Sequence, residues 1–173
     1  MSVYLMVKVV IWLIDIKNTE SIIVAGLSEF VNCDVIASNQ TAPVPDYPYV
    51  SYTVTTALDS NVKGFCIAAD GTRYKELNQI WSFTSQSDDS IESVSNALRI
   101  KDYFDLAGNT YLSDNQIVAV KTGNIFNRDN IITINYEYRN GLDVTFRLLD
   151  VIKKEDAETA GYIETAVINN KEW

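Results

Sequence analysis

The sequence contains no histidine. That absence removes the side chain most used as a general base, as the base of a catalytic triad and as a zinc ligand. Cysteine is almost as scarce: Cys33 and Cys66 stand far apart, with no CxxC spacing. They read as two small buried apolar residues in a reducing compartment, with a disulfide between them as the alternative. Only seven glycines and three prolines occur in 173 residues, which excludes collagen-like and low-complexity chains. Basic residues are outnumbered, 14 against 23 acidic, for a formal charge of -9. Lys153-Lys154 is the only adjacent basic pair. The clustered Lys and Arg that neutralise phosphates are missing, and direct duplex binding is disfavoured. P-loop, dinucleotide-binding, GxSxG, HExxH, EF-hand and zinc-knuckle spacings are all absent. The many carboxylates read as solvated face rather than as a catalytic dyad. No catalytic residue, cofactor site or metal site is expected.

What the chain does have is a core. Hydrophobic residues make up 47% of it, with ten Tyr, six Phe and three Trp, too many for a disordered segment. The length suits a single domain, residues 1–173, in which roughly 70% of the surface of the unfolded chain is buried. The most apolar run, Val3 to Ile16, is shorter than the roughly 20 residues of a bilayer span and carries Lys8 inside it. It also lacks the basic start and small-residue cleavage site of a secretory signal. Residues 1–18 read as an apolar N-terminal element, a buried helix or a partner surface, and no membrane association is expected. Asn39-Gln40-Thr41 fits a glycosylation acceptor, but such triplets arise by chance.

Thr19 is a candidate N-cap for a helix over Ser21 to Val31 that Asn32 closes. Cys33 to Ile36 reads as a short strand. Pro43, Pro45 and Pro48 then give a stiff extended surface segment. It leads into an alternating strand over Tyr49 to Leu58, with Val50, Tyr52 and Val54 on one face. Asp70-Gly71 is a hairpin-type turn. Glu76 to Ser87 forms a second strand, with Trp81 and Phe83 on one face. Asp89 and Glu92 have capping-box spacing and open a helix whose apolar stripe is Ile91, Val94, Leu98 and Ala97, with Tyr103 and Phe104 near its end. Ile117 to Lys121 is a short strand.

Asn140-Gly141 between alternating runs, Ile131 to Arg139 and Leu142 to Leu149, predicts a type I′ hairpin with positive φ at both turn residues. Glu137, Arg139, Asp143 and Arg147 would pair across it. A charged loop, Lys153 to Glu158, precedes a last strand over Gly161 to Ile168. The order predicts an α+β fold: a mainly antiparallel β-sheet with a long C-terminal hairpin and two or three helices packed on it.

Three segments together carry a family resemblance: the proline-rich lead into Pro48-Tyr49-Val50-Ser51-Tyr52, the run Trp81 to Asp89 entering a helix, and Tyr136 to Arg147. In this order and spacing, over roughly residues 20–168, the chain resembles the neck or tail terminator proteins of long-tailed bacteriophages. The resemblance implies a structural virion protein of the tail or neck, assembled in the host cytoplasm as a homo-oligomer, usually a hexameric ring. Such a ring ends growth of the tail tube, contacts the tail tube protein and joins the tail to the head-side connector or stopper. It has no catalytic residue and no cofactor, and DNA passes through it without specific binding. The elements offered for subunit interface or assembly are Pro48, Tyr49, Tyr52, Trp81, Phe83, Tyr136, Tyr138, Arg139, Asp143 and Arg147. An acidic lumen suits such a conduit, since like charge keeps DNA from sticking. Other head–tail completion or tail-tube subunits, a monomeric binding module and an enzyme are the remaining alternatives.

Overall fold

The computed structural model describes residues 15–59, 64–132 and 135–152, and only the backbone at 130–132, 135, 136 and 152. Most of the apolar run from Val3, the Lys153 to Glu158 loop and the strand expected at Gly161 to Ile168 lie outside these residues.

Helix α1 spans Ile16–Val31 and is capped by Asp15, whose carboxylate accepts from the Asn18 amide at 2.9 Å. Thr19, expected as the cap, lies one turn inside, buried in the same stripe as Ile23, Leu27 and Val31. That stripe only closes into a full apolar face if the helix starts before Thr19. Asn32 ends α1 in the left-handed conformation (φ 56), which a short polar side chain tolerates.

Strand β1 (Asp34–Ala37) pairs in parallel with β2 (Tyr49–Asp59), and the proline segment between them is the crossover that a parallel pair needs. The rest of the sheet is antiparallel: β2 pairs with β4 (Arg73–Ser87), and β4 with β8 (Asn135–Ile152). Strand β3 (Cys66–Ile67) joins β4 through a turn at Gly71 (φ 85), where Asp70 accepts from the Thr72 amide at 2.9 Å. The far edge of β8 is tiled in sequence by β7 (Asn130–Ile132), β6 (Phe126–Asn127) and β5 (Ile117–Thr122). The main path is thus β1-β2-β4-β8-β5.

The hairpin expected at Asn140-Gly141 does not form. Those two residues sit in the middle of the 18-residue strand β8, where Asn140 opposes Ser85 and Gly141 opposes Thr84 on β4. The chain reverses earlier, where Ile132 pairs with Asn135. Leu142, Val144, Phe146 and Leu148 do share one buried face, as expected. The charged residues of the other face find other partners: Glu137 pairs with Arg139 on its own strand, Asp143 with Arg128, and Arg147 with Glu76.

Helix α2 (Ser90–Asp102) is opened by Asp89, which accepts from the Glu92 amide at 2.8 Å. Glu92 closes the box indirectly, through the Ser87 hydroxyl, which in turn accepts from the Asp89 amide at 3.0 Å. Asp89→Ala should therefore cost about 1 kcal/mol, read as a lowered urea midpoint with an unchanged slope. The face that α2 buries is Ser93, Asn96, Ala97 and Ile100. Only Ala97 of the expected stripe is inside; Ile91, Val94 and Leu98 are exposed. Small and polar residues let the helix lie close to the sheet, and hydrogen bonds make up for the missing apolar contact: Ser93 donates to the Ser85 carbonyl, and Asn140 donates to Ser93 at 3.0 Å. After α2 comes one π turn, Tyr103–Ala107, and then α3 (Asn109–Asp114). The helices cover one side of the sheet. There Trp81, Phe83, Phe104 and Phe146 interlock, mostly edge to face, with Tyr52 stacked on Trp81 at 5.4 Å between centroids.

The cysteines are both free; Cys33 is half-buried and Cys66 exposed, so Cys66 is not the core residue expected. Its strand, β3, flanks the outer end of β4 away from the helical layer.

Candidate functional site

Strand alternation sends every second side chain of β2, β4 and β8 to the face away from the helices. The register aligns them in rows: Tyr49, Gln86 and Arg139; Ser51, Thr84 and Gly141; Thr53, Ser82 and Asp143. This end of the sheet is a polar layer. Gly141 leaves a gap in it, and the Arg128 guanidinium lies there, donating to Ser82 at 2.6 Å and Thr84 at 2.9 Å and pairing with Asp143 at 3.0 Å.

A buried carboxylate anchors the top row. Glu137 is 3% exposed. One oxygen accepts from Tyr47 at 2.8 Å and more loosely from Tyr49 at 3.4 Å, and the other from the Arg139 guanidinium. The Tyr47 and Tyr49 rings stack at 5.7 Å. Desolvation, reinforced by the hydrogen bond to Glu137 and its negative charge, pushes the Tyr47 phenol up to about 12. Tyr49 is raised as well, by burial first and then by the Glu137 charge. Both tyrosines therefore stay neutral donors at physiological pH. The network ties the end of the proline segment to the central strand.

Against the polar layer lies a cavity of about 390 Å³, lined by Ile36, Ala42, Val44, Ser51, Gln86, Arg128 and Arg139 among others; Ile36 extends the Ser51 row onto β1. Gln86 is 7% exposed; it donates to Ser51 at 3.1 Å, and its carbonyl oxygen has no partner.

The residues singled out from the sequence divide by this geometry. Trp81 and Phe83 have no exposed surface, and Tyr52 is buried beside them, so all three build the helix-side core. Tyr49 and Arg139 belong to the Glu137 network, which Pro48 adjoins half-buried. Tyr138 is half-buried, while Asp143 and Arg147 are exposed in ion pairs. The Tyr136 side chain lies outside the described residues. Sequence reasoning missed Tyr47, Gln86 and Arg128 as parts of a site, and placed Glu137 on a solvated face. The run Ser85-Gln86-Ser87, polar on both faces of a strand, was the available signal that this strand end is polar on its inner side too. Arg128 reaches its place by tertiary packing, with no local pattern to mark it.

A family model described as phage neck terminator protein matches residues 21–172. This chain belongs to the phage neck terminator family. No curated protein matches the sequence. Membership gives the chain a structural place in the neck of the virion tail. Among the described residues of this neck terminator, no helix is long and apolar enough to cross a membrane.

Proposed function

We propose that this neck terminator acts as a one-domain structural subunit that closes into a ring of its own copies, hexameric as the resemblance implies, at the head-proximal end of the tail. The ring ends growth of the tail tube, meets the tail tube protein on one side and the head connector or stopper on the other, and leaves a central path for DNA. The observation that carries this reading is the family match over residues 21–172. Two surface features support self-assembly. Ile91, Val94 and Leu98 line up on the outer side of α2 with 73%, 41% and 50% of their surfaces exposed, an apolar stripe that a solitary subunit has no use for. The sheet path ends at β1 on one side and β5 on the other, so each subunit offers two different edges, as a heterologous closed ring requires. The acidic excess suits a DNA conduit, and Asp and Glu should outnumber Lys and Arg on the lumen surface. The subunit works by shape and contact, with no turnover of a substrate.

Imaging of intact particles should show one ring of this chain at the junction of tail and head. Many stacked rings would make it a tube protein, and its absence from virions would overturn the reading. Leu98→Asp with Val94→Asp should leave the subunit folded and weaken self-association by at least about tenfold, or about 1.4 kcal/mol, in light scattering coupled to size exclusion.

A further inference from the structure

We propose that the contact closing the ring is helix α2 of one copy packed on the bare end of an adjoining copy's sheet; this rests on the ring reading above. Along the helix side of β4 every second residue runs Phe83, Trp81, Gln79, Leu77, Lys75, Arg73. The first three are buried, Leu77 and Lys75 are half-buried and Arg73 is exposed, so the sheet outruns its helical layer. Past the layer Ile67 pairs with Arg73, and Phe65 shares its side, with the Arg73 guanidinium over the Phe65 ring at 5.6 Å. Phe65 and Ile67 are 59% and 61% exposed, and Val54, opposite Trp81 on the same side of the sheet, is exposed too. Val54, Leu77, Ile67 and Phe65 thus form an apolar shelf, a sheet face without the helix that would cover it.

Helix α2 is the converse, a helix whose apolar stripe has no sheet against it. Its inner face is spent on its own sheet, and Ile91, Val94 and Leu98 lie outward at i, i+3 and i+7. The stripe spans about 10 Å of helix axis, and the shelf from Leu77 to Arg73 about 13 Å of strand. Charge fits as well. Asp102 continues the line of Ile91 and Leu98, and Asp88 precedes it, both exposed. The basic residues of α2 are engaged, Arg99 with the Phe30 carbonyl and Lys101 with Asp105. On the shelf, Arg73 and Lys75 enter no ion pair among the described residues. Asp150 opposes Lys75 across the strands and Asp70 is turned to the Thr72 amide, which leaves the Arg73 cation on Phe65 to meet the acids of α2. The two surfaces lie toward opposite ends of β4, whose length from Arg73 to Ser87 is roughly 45 Å. A surface at one end that fits a different surface at the other repeats head to tail, the heterologous contact of a closed ring.

Two full-length variants, mixed, test this contact. A shelf variant, Phe65→Ser with Ile67→Asp, and a stripe variant, Val94→Asp with Leu98→Asp, should each keep the thermal midpoint of the dissociated subunit. Each should self-associate at least about tenfold more weakly than the wild type in light scattering coupled to size exclusion. Mixed in equal amounts, above the concentration at which the wild type assembles, they should form a dimer and nothing larger. In that dimer the intact stripe of the shelf variant sits on the intact shelf of the stripe variant, and the remaining surfaces are both spoiled. Absence of the mixed dimer, or a shelf variant that assembles like the wild type, overturns the proposal and leaves the ring reading standing. A shelf variant with a lowered thermal midpoint and unchanged self-association would put the chain's own N-terminal run on the shelf, and overturns it too. A wild-type chain that stays monomeric at every concentration removes the ring reading and with it the adjoining copy as occupant.

Discussion

Glu137→Ala should lower the stability of the subunit by about 3 kcal/mol, a fall in thermal midpoint of about 10 °C for a chain of this size. The Glu137 side chain is 4% exposed and holds three donors at once, from Tyr47, Tyr49 and Arg139. Truncation leaves a guanidinium and the buried Tyr49 phenol without their acceptor, while the Tyr47 ring, 44% exposed, is closer to water. The Arg139 side chain is 28% exposed and recovers part of its hydration, which sets the cost at the lower end of what breaking a buried ion pair entails. Glu137→Gln keeps one acceptor oxygen, for Arg139, and turns its NH2 to the phenol oxygens, which can accept; with the charge lost but the site filled, its cost should be smaller, about 1 kcal/mol.

The pH dependence gives a second reading of the same network. The Tyr47 phenol is held at about 12, above its unfolded value, so the stability linked to it is complete below pH about 10 and is lost as pH rises through the folded value. In Glu137→Ala the desolvation persists, but the hydrogen bond and the charge that reinforce it are gone, and alkaline unfolding should begin at lower pH. An alkaline unfolding curve unmoved by Glu137→Ala would show that the phenols do not depend on this carboxylate.

The element order was legible because propensity and pattern agree along most of the chain. The strand at Tyr49, the Asp89 cap and the Asn32 stop formed where their chemistry points, with Val50 and Tyr52 of the expected face buried and Val54 exposed beside a register shift. Where the reading failed, one local cue had outweighed a longer-range one. Asn140-Gly141 is a strong turn dipeptide, but the parity of the flanking residues argued against the turn. A two-residue hairpin there would place Leu142 opposite Arg139 and Val144 opposite Glu137, apolar and charged residues on one face. A straight strand keeps Tyr138, Asn140, Leu142, Val144, Phe146 and Leu148 in phase, and that is the face buried under the helices. The stripe of α2 failed for the opposite reason. Hydrophobicity marked Ile91, Val94 and Leu98, yet close approach to the sheet selected the small residues Ser93 and Ala97. The candidate site was the least legible part. Its pieces, Tyr47, Gln86, Arg128 and Glu137, come from four separate segments; the register of β4 and β8 sets Gln86 near Glu137, and long-range hydrogen bonds bring in Tyr47 and Arg128.

Gly141→Val should cost about 3 kcal/mol, and the cause is crowding on β8, not a forbidden turn angle. The left-handed glycines among the described residues are Gly64 and Gly71, so Gly141 has no positive φ to protect. A Cβ at this position would stand 2.5 Å from the Phe83 carbonyl oxygen and 2.8 Å from both the Arg128 guanidinium and the Thr84 hydroxyl. The guanidinium can swing aside. The carbonyl belongs to the neighbouring strand and cannot move without disturbing the ladder. Two comparisons separate this cause from a turn. Asparagine tolerates the left-handed region that a turn needs, so a turn would accept Gly141→Asn far better than Gly141→Ala; crowding makes asparagine at least as costly as alanine. Arg128→Ala added to Gly141→Ala should recover only a small part of the loss, since the contact with Phe83 remains. Urea denaturation of the three variants decides it, and a Gly141→Asn protein as stable as the wild type would restore the turn.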